Sequence, residues 1–308
     1  MHNLIKKIQR KISKEKDVLT GLQKLSGSEL NSFLLELFRL RSQAVSPAGV
    51  LQEFRNNRFV LPAKTDVMRL KETELECLKY SEENGFEAIN LSPLAPFGVC
   101  SSVGFVDQNN IVSALRGTEI VSDATNMLAL KIANDFQNTT DKKLLRRYAT
   151  THRHVRGQYF TNPDYSAHFS VFCLASGGFD TGNFEFEIAQ LQEHIRMLYS
   201  LLNRRFTHEQ LFIRFYLKNN TRKLRAFLES KQNVFWSDKE VDFQEETENN
   251  YYKSIRFKLF LKRDGYDIDL GDGGDVDWTQ KLLGNKKHRL FISGIGLELV
   301  EKMAVTEK

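Results

Sequence analysis

A strand, a polar loop and a returning strand within residues 142–195 constrain the fold of this chain most. The first part is basic and ends in the string HRHVRGQ at residues 152–158. Residues 161–164 (TNPD) carry the asparagine and proline that set turn geometry. An apolar run, FSVFCL at residues 169–174, follows and breaks at the glycines 177–178. The pattern predicts a strand, a long loop, an antiparallel strand and then a helix.

Two side chains in this stretch indicate a ligand. We expect Arg153, on the first strand, and Phe169, on the returning strand, to face the same side of the sheet. A guanidinium suits phosphate and an aromatic ring suits a base, so the pair favours a nucleotide. Two other interpretations stay open: Arg153 can pair with a core carboxylate, and Phe169 can be a core residue of an apolar strand.

Composition limits the class of protein. A chain of 308 residues allows one large domain, or a domain with an extension. A net charge of +5 is too small to indicate nucleic acid. Three widely spaced cysteines, Cys77, Cys100 and Cys173, predict neither a disulfide framework nor a zinc site. No apolar run is long enough to span a bilayer, and the N-terminus lacks the apolar centre of a secretory signal. We therefore expect a cytoplasmic protein with no membrane partner.

Residues 1–64 are expected to form a helical extension, and residues 65–308 a core. Apolar residues recur at helical spacing within residues 3–19, with lysines and arginines around them. Such a basic arm can lie on anionic lipid or RNA. It can also pack on its own domain with the basic side in water, and we favour this interpretation.

The core pattern predicts an α+β fold. A helix over residues 65–84 ends at Gly85, and later apolar runs alternate as strands joined mostly by hairpin-like loops, with helices inserted between groups. Short strands are predicted at residues 103–106 and 111–115. The last strand bends at two glycines, Gly294 and Gly296, into a helix. We expect a largely antiparallel sheet flanked by helices.

From about Val67 to Glu301, the order of these pieces resembles the catalytic core of class II aminoacyl-tRNA synthetases, and most closely the histidyl branch. Residues 85–93 resemble motif 1, which implies a dimer interface and hence a homodimer. Residues 115–119 (LRGTE) resemble the histidyl "LRPEGT" segment, whose carboxylate holds the amino group of the amino acid. The resemblance implies a substrate site that includes Arg116, Thr118 and Glu119.

Residues 152–158 resemble the motif 2 string "FRYERPQ". The resemblance implies that Arg153 holds the α-phosphate of ATP, as the catalytic residue if the protein is active, and that Phe169 stacks on adenine. Residues 294–299 (GIGLEL) resemble motif 3. The implied nucleotide-binding residues are Arg153, Arg156, His168, Phe169, Gly294 and Gly296. Residues 251–254 (YYKS) resemble "YYTG" and residues 273–277 (GGDVD) resemble "GGRYD". Further implied substrate-binding residues are Tyr251, Tyr252, Gly273 and Gly274.

Departures from these motifs concern charged positions. Leu299 stands where the motif 3 arginine holds the γ-phosphate, Val155 replaces the motif 2 glutamate, and Asp275 replaces the arginine of "GGRYD". Loss of one such donor costs on the order of 3 kcal/mol of transition-state stabilisation. We therefore do not expect ordinary histidine activation. No anticodon-binding domain is expected after Glu301.

Three functions follow from the sequence. The first is a histidyl-synthetase-like paralogue that binds an amino acid or an adenine nucleotide, with ATP and Mg²⁺ as possible ligands, and acts as a regulatory or partner subunit. The second is an enzyme that adenylates an acid for a non-standard acceptor. The third is an RNA-associated protein that uses the N-terminal arm and a set of basic residues: Arg204, Arg205, Arg222, Lys223 and Arg225. No metal site is expected, because His152, His154 and His168 have no partner at ligand spacing.

Overall fold

The computed structural model describes residues 2–13, 17–137, 139, 141, 143–159, 166–218, 221–230, 239–246 and 250–305. The predicted turn at residues 161–164 lies outside these ranges.

The centre of the fold is an eight-stranded sheet. The strands are β1 (Glu87–Ala88), β2 (Leu94–Pro96), β3 (Thr118–Ile120), β4 (Arg146–Val155), β5 (His168–Phe179), β6 (Leu211–Leu217), β7 (Glu240–Glu245), β8 (Ile255–Arg263), β9 (Tyr266–Val276) and β10 (His288–Gly296). Their order in the large sheet is β1-β4-β5-β10-β9-β8-β6-β7, and β2 pairs with β3 in a separate sheet. Only the two edge pairs, β1 with β4 and β6 with β7, are parallel within the described strands. The prediction of a largely antiparallel α+β fold is confirmed.

Helices cover both faces of the sheet. They are α1 (His2–Ile12), α2 (Val18–Gln23), α3 (Gly27–Ser42), α4 (Pro47–Asn56), α5 (Val67–Glu83), α6 (Val99–Ser102), α7 (Ala124–Gln137), α8 (Glu185–Leu202), α9 (Arg222–Glu229), α10 (Trp278–Leu283) and α11 (Leu297–Val305). Gly85 follows α5 with a positive φ of 78°, as a helix stop requires. No helix in the described ranges is both long and apolar enough to cross a lipid bilayer.

Alternation along β5 divides the core into two halves. Phe172 and Leu174 pack with α5, α8 and α11, and we call this side the α8 face. Val171 and Cys173 point the other way and pack with α6, α7 and α10, on the side we call the α7 face. Because side chains alternate across a strand, residues on one strand reach the same face only at even spacing.

The predicted strands at residues 103–106 and 111–115 are wrong. Phe105 has a positive φ of 57°, which a strand residue does not adopt. Within residues 111–115 only Ser113 forms an isolated bridge, to Glu119. The chain reverses here to place β3 beside β2.

The N-terminal helices expose much of their apolar surface. Leu4 is 59% exposed and Ile12 67%, so α1 does not pack on the described domain as we had favoured. Phe33 and Phe38 of α3 are also exposed, because the stripe they form meets no apolar partner in the part of the chain that the structure describes. The extension nevertheless contacts the core, since Asn31 Oδ1 accepts a hydrogen bond of 2.8 Å from the Arg116 amide.

Candidate functional site

Strand register separates Arg153 from Phe169. On neighbouring strands β4 and β5, Arg153 pairs with Ser170, whereas His154 pairs with Phe169. Paired residues share a face, so Phe169 and His154 lie on the α7 face and Arg153 lies on the α8 face. The expectation that Arg153 and Phe169 share a face is wrong, because their register is offset by one residue.

Arg153 is instead part of a surface link. Its Nη1 lies 2.9 Å from Glu298 Oε1, and its Nε donates a 2.8 Å hydrogen bond to His168 Nδ1. His168 Nδ1 therefore carries no proton, and its Nε2–H donates to the Leu61 carbonyl at 2.6 Å. Both residues that we had assigned to nucleotide, Arg153 and His168, are thus engaged by protein groups.

Arg156 is the arginine that meets Phe169. It follows the end of β4, and its guanidinium carbon lies 5.2 Å from the centre of the Phe169 ring. Its Nε donates to the Ser122 carbonyl at 3.2 Å. Within the described residues no carboxylate oxygen lies within 4.0 Å of Arg156. The pairing of guanidinium and ring that the sequence suggested is therefore present, three residues further along the chain.

Asp123 faces Arg156 from the turn before α7. Thr125 donates to its Oδ1 from the amide (2.9 Å) and the hydroxyl (2.6 Å), and the Tyr251 hydroxyl donates to its Oδ2 at 2.6 Å. Burial alone would raise the pKa of Asp123, but the nearby charges and these hydrogen bonds hold the pKa below its ordinary value. The site therefore contains a fixed, ionised carboxylate.

His154 helps to position that carboxylate. Its Nε2 accepts a 2.9 Å hydrogen bond from the Ala124 amide, at the start of α7. Burial lowers the pKa of His154 to about 3, although Asp123 opposes the shift. The ring is neutral at ordinary pH, so the anionic state of Asp123 depends on Arg156 and on the hydrogen bonds from Thr125 and Tyr251.

Three adjoining cavities meet at Arg156, with volumes of ≈ 360, ≈ 730 and ≈ 190 Å³; the largest also reaches Leu270 and Leu299 of the α8 face. We call them together the cleft. Arg156 and Asp272 line all three. Asp123 lines the 360 and 190 Å³ cavities, and Phe169 lines the 730 and 190 Å³ cavities.

Asp272 and Arg256 form the opposite wall of the cleft. Arg256 Nε lies 3.4 Å from Asp272 Oδ2, and its Nη1 lies 3.5 Å from Glu246 Oε2. Burial raises the pKa of Asp272, and Arg256 only partly offsets this. Arg256 is thus already committed to carboxylates, in contrast to Arg156.

The late glycines differ in their roles. Gly294 and Gly296 line the 190 Å³ cavity. Gly273 and Gly274 line none of the three cavities. A Cβ on Gly273 would lie 2.6 Å from Phe257 Cε1, and one on Gly274 would lie 2.6 Å from Tyr252 Cδ1. The structure thus corrects their assignment to substrate, because both allow close packing against rings.

The "LRGTE" segment does not reach the cleft. Glu119 is fully buried and accepts hydrogen bonds from the amides of Gly98 (2.8 Å) and Cys100 (3.1 Å). Thr118 Oγ1 donates to the Leu115 carbonyl, and Arg116 occupies a turn with a positive φ of 65°. The expectation that these residues line a substrate site is wrong, because backbone groups already use the carboxylate of Glu119.

Asp123 is the residue that sequence reasoning missed. The "LRPEGT" resemblance required a carboxylate followed by a helix, and α7 begins at Ala124, directly after Asp123. Thr125, two residues on, donates both hydrogen bonds expected of an Asp-x-Thr turn. The start of the helix was therefore the signal that could have found Asp123.

The place of the motif 3 arginine has no cation. Leu299 lines the 730 Å³ cavity on the first turn of α11, and Glu298 beside it binds Arg153. The Asp275 carboxylate accepts hydrogen bonds from the backbone amides of Ser254 and Ile255, so its role is structural. The described residues contain no group of three histidines, cysteines or acids placed to hold a metal ion.

This combination of sheet order, flanking helices and a final strand bending into a helix defines the catalytic core fold of class II aminoacyl-tRNA synthetases. Solved structures give the particular likenesses. An ATP phosphoribosyltransferase regulatory subunit/histidyl-tRNA synthetase from Bacillus halodurans matches with a TM-score of 0.59 and 11% identity, over 79% of this chain and 82% of that one. A histidine–tRNA ligase subunit from Alicyclobacillus acidocaldarius matches at 0.55 and 12%, over 80% and 96%.

A third match broadens the set beyond the histidyl branch. Pyrrolysyl-tRNA synthetase from Desulfitobacterium hafniense matches with a TM-score of 0.51 and 12% identity, over 89% of this chain and 80% of that one. Neither a family profile nor a curated protein matches the chain. The predicted resemblance to a class II core is confirmed at the level of the fold.

Proposed function

We propose that this chain is a histidyl-synthetase-like paralogue that binds an amino acid in the cleft and acts as a regulatory or partner subunit without standard tRNA charging. One observation carries the proposal: Asp123 and Arg156 line the same cavities with opposite charges. An amino acid presents an ammonium and a carboxylate, which these two groups complement.

The carboxylate of Asp123 is held in place before the ammonium group of an amino acid binds. Tyr251 and Thr125 fix both of its oxygens, so little ordering remains for binding to supply. The Arg156 guanidinium, which lies against no acid in the described structure, is available for the ligand's carboxylate. The 190 Å³ cavity continues from both groups along Val171, Cys173 and Gly294, where an amino-acid side chain would lie.

The charges that would surround the triphosphate of ATP disfavour standard amino-acid activation. Leu299 and Glu298 stand where the γ-phosphate arginine is expected, and Asp272 lines the same cavity. Two missing donors at about 3 kcal/mol each correspond to roughly four powers of ten in rate. Binding without rapid chemistry is the behaviour that this cleft supports best.

A second candidate is an enzyme that adenylates an acid, with ATP and Mg²⁺, for a non-standard acceptor. The observation in its favour is Arg156 above the Phe169 ring, which would offer a guanidinium to the α-phosphate once adenine takes the ring face. Amino-acid-dependent pyrophosphate exchange measures this activity. Exchange that disappears in Arg156→Gln and persists in Arg153→Gln would favour the second candidate over the first.

The RNA-associated alternative loses support from the structure. Arg204 lies 2.6 Å from Glu76, and Arg205 lies 2.7 Å from Glu301 and 2.8 Å from Glu76. These arginines are engaged in a network that joins α5, α8 and α11, so they are poorly placed to bind phosphates.

A homodimer through the motif 1 region is part of the proposal. Val67, Met68 and Leu75 of α5 are between 52% and 72% exposed, which suits a helix covered by a partner. The Bacillus halodurans protein is described as a regulatory subunit, and we therefore also propose a protein partner for this chain. Light scattering should give twice the chain mass, and Met68→Glu should shift it to the monomer.

Calorimetric titration with the common amino acids tests the central proposal. We expect one amino acid to bind, and expect Asp123→Asn and Arg156→Gln each to weaken it by about tenfold to a hundredfold, since a hydrogen bond to a charged group contributes about 1.5–3 kcal/mol. Arg153→Gln is the matched control and should leave affinity unchanged. Silence with every amino acid, or equal losses in all three variants, would contradict the proposal.

A further inference from the structure

The linker between the helical extension and the core forms one wall of the cleft. We define the linker as residues 57–66, between α4 and α5. Lys64, Thr65 and Asp66 line the 730 Å³ cavity together with Arg156 and Phe169. No motif of the sequence analysis includes this segment.

Arg58 ties the linker to the end of β4. Its guanidinium donates to the carbonyls of Gly157 and of Gln158, the latter at 2.9 Å, directly after Arg156. The guanidinium also lies 4.4 Å from the centre of the Phe59 ring, which holds it in place.

A second tie reaches the returning strand. The Leu61 carbonyl accepts the 2.6 Å hydrogen bond from His168 Nε2, directly before Phe169. The linker is therefore bonded to both strands of the hairpin, next to each of the two residues that meet in the cleft. Arg58 is placed to position Arg156 against Phe169.

Lys64 adds a cation to the cavity that Leu299 lines. Three other cations of that cavity lie against acids: Arg69 pairs with Glu301, Arg256 with Asp272, and Lys258 with Asp269. Lys64 is exposed to the cavity, and no carboxylate oxygen of the described residues lies within 4.0 Å of its ammonium.

We propose that the linker supplies the phosphate-binding cation that motif 3 lacks. Lys64, with Arg156, binds the phosphates of an adenine nucleotide, and Arg58 is a positioning residue that holds the hairpin in its binding geometry. The inference rests on the second candidate of the proposed function, in which the cleft also binds ATP. A flexible ammonium binds phosphate as a point charge, without the fixed geometry that activation requires of arginine.

Titration of the full chain with adenosine, AMP and ATP tests the role of Lys64. In the wild type we expect affinity to rise from adenosine to ATP. Lys64→Gln should weaken ATP about tenfold at low salt and leave adenosine unchanged, since only the charge contact is lost. Lys24→Gln, an exposed lysine at the end of α2 that lines no cavity, should change nothing.

Arg58→Gln tests the positioning role. Because this variant releases the hairpin that carries both Phe169 and Arg156, adenosine should weaken and ATP should weaken more, and Arg58→Lys should restore part of the affinity for each. Hydrogen exchange of the amides of β4 should rise near residues 155–158 while the melting temperature of the chain stays constant. If Arg58 were merely structural, Arg58→Gln would lower the melting temperature. Arg58→Lys and Arg58→Gln would then bind the nucleotide with equal affinity.

Each result is decisive. Equal ATP affinity in wild type and Lys64→Gln overturns the role of Lys64 and leaves the proposed function intact. Binding of an amino acid with no binding of any nucleotide overturns the inference and keeps the amino-acid part of the proposed function. Silence with both kinds of ligand overturns both.

Discussion

Lowering the pH should destabilise this fold through a buried histidine behind the cleft. His194 of α8 is fully buried. Its Nε2 lies 2.8 Å from Ser176 Oγ on β5, and its Nδ1 lies 2.8 Å from Ser293 Oγ on β10. Phe86 and Phe291 make edge contacts with the ring, and no carboxylate oxygen of the described residues lies within 4.0 Å of its nitrogens. Burial, with a smaller effect of Arg147, lowers the pKa of His194 from 6.5 to about 3.

The sign of the effect follows from where the proton binds. Between pH 6.5 and 3 the unfolded chain protonates this histidine and the folded chain does not, so stability falls as the pH falls. From pH 6.5 to 4.5 the loss from His194 alone is about 2 kcal/mol. His154, with a pKa lowered to about 3 by burial, adds a loss in the same direction.

Denaturant unfolding between pH 7.5 and 4.5 measures this directly. His194→Gln should be less stable than wild type at pH 7.5, because it disturbs two buried hydrogen bonds, and the difference should shrink by about 2 kcal/mol at pH 4.5. Gln52→Ala, at an exposed residue that carries no titrating group, should run parallel to the wild type. A His194→Gln curve that also runs parallel would refute the reasoning, since it would mean that the folded protein accepts the proton.

Two further substitutions test the packing that supports the cleft. Gly274→Ala should destabilise the chain by about 1–3 kcal/mol in thermal or denaturant unfolding, because its Cβ would lie 2.2 Å from the Ile255 carbonyl oxygen. Gly296→Ala is the control and should leave stability unchanged, because its Cβ would meet nothing closer than 3.8 Å. Unchanged stability in Gly274→Ala would contradict the packing argument. Glu301→Gln should cost about 1–3 kcal/mol, because the largely buried Arg205 guanidinium loses one of its two carboxylate partners and keeps Glu76. A loss below about 0.5 kcal/mol would show that Glu301 contributes little to that network.

Much of the fold could be predicted because its signals are local. The apolar run at residues 169–174 and the alternation at residues 255–261 predicted two central strands, and the stop at Gly85 predicted the end of α5. The order of strands, helices and glycine bends then pointed to the class II core. The extension was harder, because a helical stripe indicates an apolar face but does not say what covers it.

The site could not be placed in the same way. A motif can be aligned to a sequence with an error of a few residues and still be recognised. In a strand, an error of one residue assigns the side chain to the opposite face of the sheet. Arg153 and Arg156 both follow a histidine or valine in one basic string, and only the pairing of β4 with β5 decides which arginine meets Phe169. Glu119 and Asp123 posed the same problem, and the difference between them is that amides of the α6 turn already occupy Glu119.

The charges of the cleft are the reason that we propose binding rather than activation for this class II scaffold. Pyrophosphate departure needs cations along the whole phosphate chain, placed before the reaction begins. In the 730 Å³ cavity three of the described cations, Arg69, Arg256 and Lys258, already face acids, and Glu298 and Asp272 line the same cavity. Asp123 and Arg156, by contrast, present one negative and one positive charge at the narrow end. Under our proposal that pair complements both charges of a zwitterion, whereas a triphosphate needs further cations such as Lys64.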